Sequence, residues 1–581
     1  MTGFVRVAAA TPKIRVADCA YNAEQIIALI KKAESEAVRL ICMPELCVTG
    51  ATCGDLFSQM TLLENAKNAL FEIVEKTKDC RVLSVVGLPI EFRGKFYNAA
   101  AVFCGGKILG FVPKKSFCEN DIIYLNDERI PFGSNIVFQC SELKNFILGE
   151  TVVVNPSALC ETVGSGEKRR SLIAVESAQN VCAIVSVNAG YGESTTDAVY
   201  SGHNLICENG AVLMESPPFG DGWAVSEIDL HALVHARRNI VFEKNFVIPF
   251  SLNMQCENLT RNISPSPFMP CDCEEILNIQ AHGLAKRLEH TGANAVLGIS
   301  GGLDSTLALL VTIRAYEILS REKSEIIAVT MPCFGTTERT KSNAHKLCET
   351  SGIGCREIYI AETVKQHLRD IKHDESLRDI TYENAQARIR TLVLMDLANK
   401  ENGIVIGSGN LSELSLGFAT YNGDHMSMYG VNAGVPKTIV RYIVEQSAKN
   451  SANESLKIVL CDILATPVSP ELLPPKDGEI VQQTEDIVGP YELHDFFIYH
   501  FLCHGRDASQ IFQLACVAFE GKYSSDEIQN TLKLFYRRFF SQQFKRSCMP
   551  DSPQVFSISL SPRNGWQMPS DAENIEKGFS K

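Results

Sequence analysis

Residues 297–306 read Leu-Gly-Ile-Ser-Gly-Gly-Leu-Asp-Ser-Thr, a mixture of glycines, hydroxyls and one acid that suits phosphate binding. The apolar run Ala295 to Ile299 predicts a strand before it, and Leu307 to Ile318 predicts a helix after it. Glycines let backbone N–H groups approach an anion, and the helix N-terminus adds partial positive charge. Asp304 would then lie beside the phosphates, where a hard cation such as Mg²⁺ bridges. The spacing differs from the G-x-x-x-x-G-K-[ST] loop of kinases and GTPases.

Three more residues of the second half have the right chemistry for the same ligand. Glu413 follows a predicted strand, Ile404 to Ile406, where an acid is well placed to hold a second cation. Arg388 lies on a predicted helix, and its planar guanidinium suits phosphate or carboxylate, although a solvated arginine fits the pattern equally well. Lys437 opens a further predicted helix and is placed to meet a phosphate.

The composition is that of a globular chain and narrows the classes of function. The 581 residues are 45% hydrophobic and 21% charged, with a formal net charge of -13. No stretch is dense in lysine and arginine, which disfavours a nucleic-acid partner. We find no signal peptide and no apolar run of about 18 residues, so we expect a cytoplasmic protein that does not enter a membrane. The 21 cysteines are scattered along the chain, as in proteins with reduced thiols.

The order of the predicted elements indicates an α/β fold in two halves. The predicted elements of the first half include strands and one helix, at 4–10, 21–35, 38–43, 80–88 and 96–103. We expect domains at residues 1–252 and 271–581. The stretch 253–270 is rich in Asn, Ser and Pro and predicts a linker between them.

The phosphate loop resembles the SGGxDS loop of ATP-pyrophosphatases, which cleave ATP between its α- and β-phosphates. The motifs that follow extend the resemblance to NAD⁺ synthetases over nearly all of residues 270–571. These motifs are Met331-Pro332, Glu383–Arg390, Gly407–Glu413, Gly423-Asp424 and Pro436-Lys437-Thr438. The resemblance implies a Rossmann-like domain with a parallel sheet, which joins ammonia to deamido-NAD⁺ through an acyl-adenylate and releases AMP and pyrophosphate.

The same resemblance implies a role for each of several residues. For ATP it implies Ser300, Gly301, Gly302, Asp304, Ser305, Ser408, Lys437 and Thr466. For Mg²⁺ it implies Asp304 and Glu413, and for deamido-NAD⁺ it implies Arg388, Asp424 and Lys545. The family usually has Thr where Ser408 stands, and the hydroxyl is retained.

The first half resembles the nitrilase-like glutaminase domain of the long, glutamine-dependent NAD⁺ synthetases, which is an α/β sandwich. The motifs concerned include Pro44-Glu45-Leu46, Val112-Pro113-Lys114 and Asn155-Pro156-Ser157. Such domains use a Glu base, a Lys that stabilises the oxyanion and a Cys nucleophile. By position Glu45 is the base and Lys114 the lysine, with the adjacent Lys115 as the less favoured choice.

The nucleophilic cysteine is not identified. The family carries it between two strands, and here Asn145 to Leu148 and Thr151 to Asn155 predict those strands with two residues between them. A parallel crossover needs about a dozen residues or more, so we expect a hairpin or one continuous strand. The loop and helix that bear the cysteine are then missing. Cys160 and Cys182 are the nearest thiols, and we interpret both as structural.

Three functions remain open. The first is an NAD⁺ synthetase, using glutamine or, if the glutaminase is inactive, free ammonia. The second is another ATP-pyrophosphatase amidotransferase, and the third a non-catalytic derivative of the family. Intact Asp304, Glu413 and Lys437 disfavour the third. The expected partners are small-molecule substrates and, from the resemblance, further copies of the chain in a homo-oligomer.

Overall fold

The computed structural model describes residues 3–114, 120–126, 128–196, 198–238, 240, 245–252, 261–374, 376–467, 472–473, 484–563, 565–574 and 576. The chain divides into two compact units, Met1–Asn262 and Ile263–Lys581. Within the described residues, no helix combines the length and the apolar character that a membrane span requires. The described cysteines are all free thiols.

The first unit contains two mixed sheets and four helices in its described part. The strands are β1 (Phe4–Ala10), β2 (Leu40–Cys42), β3 (Leu83–Phe92), β4 (Lys95–Cys104), β5 (Lys107–Pro113), β6 (Asp121–Leu125), β7 (Glu128–Phe132), β8 (Ile136–Cys140), β9 (Ile147–Leu148), β10 (Val152–Ser157), β11 (Ala183–Asn188), β12 (Leu205–Glu208), β13 (Ala211–Glu215), β14 (Trp223–Asp229) and β15 (Phe246–Phe250). The helices are α1 (Cys19–Ser35), α2 (Met60–Lys76), α3 (Ser165–Gln179) and α4 (Leu230–Ala236). The sheets run β14-β1-β2-β3-β4-β5-β7-β6 and β13-β12-β11-β10-β9-β8-β15.

The two sheets pack face to face, with helices on their outer sides. Alternate residues of β1 face different apolar clusters, as the period of two in a strand requires. Val7 packs in the cluster that also contains Val185 of the second sheet, whereas Ala8 packs with Ile26 of α1. Ile173 of α3 covers the other face of the second sheet. The unit is therefore a helix–sheet–sheet–helix sandwich, which confirms the predicted class.

The second unit is built on a parallel sheet of five strands in the order β18-β17-β16-β19-β20, counted over the described residues. The strands are β16 (Asn294–Gly298), β17 (Ile327–Thr330), β18 (Cys355–Glu357), β19 (Gly403–Gly407) and β20 (Tyr429–Gly430). The helices are α5 (Cys273–Thr291), α6 (Leu303–Ile318), α7 (Glu338–Thr350), α8 (Ala361–Asp370), α9 (Ile380–Lys400), α10 (Leu411–Leu416), α11 (Lys437–Asn450), α12 (Glu454–Leu464), α13 (Thr484–Val488), α14 (Tyr491–His504), α15 (Ala508–Ala518), α16 (Ser525–Ser541) and α17 (Gln543–Arg546). This confirms the predicted parallel α/β architecture.

The segment between β9 and β10 differs from its prediction. We expected a hairpin or one continuous strand, but β9 and β10 form a parallel bridge between Leu148 and Val152. Gly149 makes this possible because its φ of +96° turns the chain sharply, and its N–H donates to the carbonyl of Val152 at 2.7 Å. The bridge joins a single residue pair, so it needs no crossover. No helix lies between these two strands.

Candidate functional site

The turn between β16 and α6 has the shape of an anion-binding loop. Gly301 has a φ of +81°, and a Cβ there would lie 2.2 Å from the carbonyl oxygen of Thr340, so a side chain does not fit. The Ser300 and Ser305 hydroxyls lie 3.0 Å apart, and the N–H of Gly302 donates to Ser300 Oγ at 3.2 Å. Helix α6 starts at Leu303, earlier than the predicted start, so Ser305 and its neighbour Asp304 belong to its first turn.

Three charged side chains meet in front of this turn. Asp304 follows β16, Glu413 follows β19 and Lys437 follows β20, and these strands are neighbours that end at one edge of the parallel sheet. The Lys437 ammonium donates to Glu413 Oε1 at 2.9 Å and also to an oxygen of Asp304. Asn410 holds the two acids in place, because its side chain donates to Asp304 Oδ1 at 2.9 Å and accepts the N–H of Glu413 at 2.9 Å.

Burial and neighbouring charge determine the protonation of this cluster. Burial raises the pKa of Glu413 to about 7, and the nearby Asp304 carboxylate adds to the increase while Lys437 opposes it. Burial alone would lower the pKa of Lys437, but the Asp304 and Glu413 carboxylates outweigh it and raise that pKa. The lysine is therefore a permanent cation.

The donor set of this cluster fits Mg²⁺. Asp304 and Glu413 offer carboxylate oxygens, the hard ligands that Mg²⁺ prefers. No group of three or more His, Cys, Asp or Glu side chains suited to a metal occurs in the described part of the chain. A site with two protein ligands still suits Mg²⁺, which keeps several waters and takes further oxygens from substrate phosphates.

A cavity of about 330 Å³ opens over the cluster. Most of the residues predicted for ATP, Mg²⁺ and deamido-NAD⁺ line it: Ser300, Gly302, Asp304, Ser305, Ser408, Glu413, Asp424, Lys437 and Thr466. Three predicted residues, Gly301, Arg388 and Lys545, are not part of its lining. Gly301 instead shapes the turn behind it.

Arg388 and Lys545 contact backbone carbonyls beside the cavity. Arg388 is exposed, and its Nε donates to the carbonyl of Tyr421 at 3.2 Å. Lys545 Nζ donates to the carbonyls of Gly417 and Ala419, both at 2.7 Å, just after the end of α10. Burial and the nearby Arg538 lower the pKa of Lys545. In this arrangement both cations hold the loop that follows α10.

Sequence reasoning missed two residues at this site. Arg390 lines the cavity, two residues after Arg388. Asn410 is fully buried between Asp304 and Glu413. The position of Asn410 directly before a predicted helix start was a usable signal, because asparagine is a preferred N-cap residue.

The first unit has its own cavity, of about 370 Å³. Glu45 and Lys114 form an ion pair in its lining, with Lys114 Nζ 2.6 Å from Glu45 Oε1. The Asn98 amide also donates to Glu45. The Glu45 side chain is 11% exposed and that of Lys114 is 61% exposed. The two predicted residues are therefore together, while Lys115 lies outside the described residues.

Among the residues that the structure describes, no cysteine lines this cavity. Cys160 is exposed on the segment after β10. Cys182 is 1% exposed and precedes β11, and burial raises the pKa of its thiol to about 11. A thiol so buried is a poor nucleophile. Cys118 and Cys256 lie outside the described residues.

Comparison with known proteins matches a part of each unit to a sequence family. A sequence family described as "Carbon-nitrogen hydrolase" matches residues 6–123, and one described as "NAD synthase" matches residues 276–455. A solved structure titled a glutamine-dependent NAD(+) synthetase from Cytophaga hutchinsonii matches with a TM-score of 0.45 and 20% identity, covering 99% of each chain.

Two curated relatives are similar over almost the whole chain. The glutamine-dependent NAD(+) synthetase of Mycobacterium leprae is 36% identical, covering 98% of this chain and 96% of its own length. That of Mycobacterium tuberculosis H37Rv is 35% identical with the same coverage. The first alignment extends over 654 positions, more than the 581 residues here, so that relative has segments without a counterpart in this chain. With this identity over nearly its full length, the chain belongs to the glutamine-dependent NAD⁺ synthetases and is an enzyme of NAD⁺ synthesis.

Proposed function

We propose that the chain amidates deamido-NAD⁺ through an acyl-adenylate, with ATP as co-substrate. The observation that carries the proposal is the convergence of Asp304, Glu413 and Lys437 in front of the α6 N-terminus. The N–H groups of a helix N-terminus, a permanent cation and two acids for Mg²⁺ are what a reaction needs when it releases pyrophosphate. The cavity lining supports this because it combines those groups with the Ser300 and Ser408 hydroxyls.

The proposed chemistry has two steps. The carboxylate of deamido-NAD⁺ attacks the α-phosphorus of ATP, and the bond to the bridging oxygen breaks, so that pyrophosphate leaves with the electron pair. Ammonia then attacks the acyl carbon and loses a proton, and AMP leaves with the former carboxylate oxygen. Lys437 and the α6 N–H groups stabilise the charge that develops on pyrophosphate. Positioning of both substrates supplies much of the remaining rate.

Asp304 and Glu413 would hold Mg²⁺ in this scheme. When bound, the ion would neutralise phosphate charge and act as a Lewis acid toward the phosphoryl oxygens. Asn410 keeps the two carboxylates oriented, through its contacts with Asp304 Oδ1 and the Glu413 N–H. Walls that exclude water are needed as well, because water would hydrolyse the adenylate.

We also propose that the nitrogen comes from free ammonia rather than from glutamine. The front cavity has a base in Glu45 and an oxyanion donor in Lys114, but its described lining contributes no thiol. A base and an oxyanion donor cannot form the thioester of a glutaminase without a nucleophile. The parallel bridge of Leu148 and Val152 supports this, because only three residues separate the two strands between which the resemblance expects the cysteine-bearing loop and helix.

Oxygen-18 in the carboxylate of deamido-NAD⁺ tests the adenylate directly. With ATP, Mg²⁺ and ammonium, the AMP formed should carry one labelled oxygen and the pyrophosphate none, as read by mass spectrometry. Unlabelled AMP, or ADP as the product, would refute the route. Absence of NAD⁺ with deamido-NAD⁺, but turnover of another acid, would favour a different ATP-pyrophosphatase amidotransferase.

A further inference from the structure

The side chain of Asn432 forms hydrogen bonds with two segments that line the nucleotide cavity. It is fully buried and follows β20. Its Nδ2 donates to the backbone carbonyl of Asp304 at 2.9 Å and to that of Ser408 at 3.1 Å. Asp304 is in the first turn of α6, whereas Ser408 is in the turn between β19 and α10. One amide group therefore sets the separation of two segments that both line the cavity.

A second buried amide fixes the direction in which Asn432 points. Gln280 of α5 is fully buried, and its Nε2 donates to Asn432 Oδ1 at 3.0 Å and to the Val431 carbonyl at 2.9 Å. Because Oδ1 of Asn432 receives this bond, its Nδ2 must face Asp304 and Ser408. Gln280 Oε1 has no hydrogen-bond partner within the described structure.

We propose that Asn432 is a positioning residue for ATP, and that Gln280 orients it. By fixing the backbone of Asp304 relative to that of Ser408, Asn432 sets the distance between the carboxylate and the hydroxyl that face the nucleotide. The Asp304 carboxylate keeps its own contacts with Asn410 and Lys437. Loss of Asn432 should therefore displace these groups without removing any of them. The ATP part of this inference rests on the proposed function.

The structure offers a matched control for Asn432. Asn22 in the first unit is also fully buried, and its Nδ2 donates to two backbone carbonyls, those of Arg15 at 2.9 Å and Val48 at 3.1 Å. Asn432→Ala and Asn22→Ala thus each remove two hydrogen bonds to backbone carbonyls from a buried site. A purely structural role of Asn432 predicts that the two variants behave alike toward ATP.

The experiment uses the full chain and two readouts. Calorimetric titration measures the affinity for α,β-methylene-ATP with Mg²⁺, and ammonium-supported synthesis gives kcat and both KM values. We expect Asn432→Ala to weaken the analogue at least about tenfold and to lower kcat about 10- to 100-fold. KM for deamido-NAD⁺ should change less than twofold. Asn22→Ala should keep all four values within about twofold of the parent.

Gln280→Met is the second variant, in case Asn432→Ala does not fold. It keeps the volume of the side chain but releases Asn432 Oδ1, so we expect analogue affinity to fall several-fold with no other group of the cavity changed. Parental affinity in both site variants, or equal losses in Asn22→Ala, would overturn the inference. If the parent binds the analogue but makes no NAD⁺, the proposed function fails, whereas a loss of binding in Asn432→Ala would still support the positioning role.

Discussion

Arg388 and Arg390 lie two residues apart on α9, yet of the two only Arg390 lines the cavity of the second unit. Residues at this spacing are about 200° apart around a helix, so they point to different sides. Arg388 instead reaches the Tyr421 carbonyl. The two arginines therefore allow one helix to contact the cavity and the neighbouring loop at once.

We expect the two arginines to have different kinetic effects. Arg388→Ala should raise KM for deamido-NAD⁺ more than KM for ATP, because lost ground-state binding appears in KM. Arg390→Ala should lower kcat/KM for ammonium-supported synthesis at least about tenfold, since one charged contact contributes about that much. Arg537→Ala, on the exposed surface of α16, is the control. Equal changes in both KM values for Arg388→Ala would contradict the assignment.

Asp304→Asn tests the central acid. The substitution keeps the shape of the side chain but removes the charge that faces Lys437 and that would bind the proposed Mg²⁺. We expect a loss of at least about a hundredfold in the ammonium-supported rate, comparable with removal of one electrostatic stabiliser. The control Asp526→Asn, at an exposed position of α16, should leave this rate unchanged. A near-parental rate for Asp304→Asn would exclude the proposed role.

Glutamine labelled with nitrogen-15 in its amide tests the nitrogen source. With ammonia removed enzymatically, we expect little or no labelled NAD⁺, whereas labelled ammonium should be incorporated readily. Cys160→Ser and Cys182→Ser should not change the rate with ammonium. Robust glutamine turnover that either substitution abolishes would show that a resident thiol serves as the nucleophile.

His494 should make the stability of the second unit sensitive to acid. Its ring is fully buried on α14, and burial lowers its pKa to about 4 from an ordinary value of 6.5. The unfolded chain takes up a proton below about pH 6.5 while the folded chain does not, so stability present above that pH is lost as the pH falls toward 4. The contribution is at most about 3 kcal/mol.

His494→Gln should remove the share of this dependence that His494 contributes, because a neutral amide can still donate to the Val488 carbonyl. The share of the buried His500, whose pKa burial also lowers, should remain. Urea unfolding between pH 4.5 and 7.5 measures it. Trp566, which contacts Phe501 and Phe539, reports on this unit once Trp223 of the first unit is replaced by Phe. Parallel curves for the parent and His494→Gln would contradict the prediction.

The convergence of three charged residues in the second unit could be predicted from the sequence. Asp304, Glu413 and Lys437 each follow a strand, and parallel strands bring their carboxyl ends to one edge, so their convergence follows from chain order. The Ser-Gly-Gly turn could also be predicted from the sequence, because a strand, the glycines and a helix follow one another directly.

Other features depend on contacts between distant segments and could not be predicted in this way. The sequence pattern placed Arg388 and Arg390 on one helix. It did not give the rotation of that helix about its axis, which decides which arginine faces the cavity. Asn432 meets Asp304 across 128 positions of sequence, and no local pattern marks such a pair. The bridge of Leu148 and Val152 was mispredicted because the length needed for a parallel crossover was taken as the limit. A sharp turn at a glycine with positive φ makes a parallel bridge of one residue pair possible without a crossover.

The crowding of Gly301 against the Thr340 carbonyl affects how the phosphate loop should bind its ligand. A Cβ at Gly301 would lie 2.2 Å from the carbonyl oxygen of Thr340, which belongs to α7, so there is no room for a side chain. Because α7 packs against the loop so closely, the loop has its shape before any nucleotide arrives. A loop that is already ordered loses little conformational entropy on binding. Nucleotide capture here should therefore be fast and limited by diffusion into the cavity, not by rearrangement of the backbone.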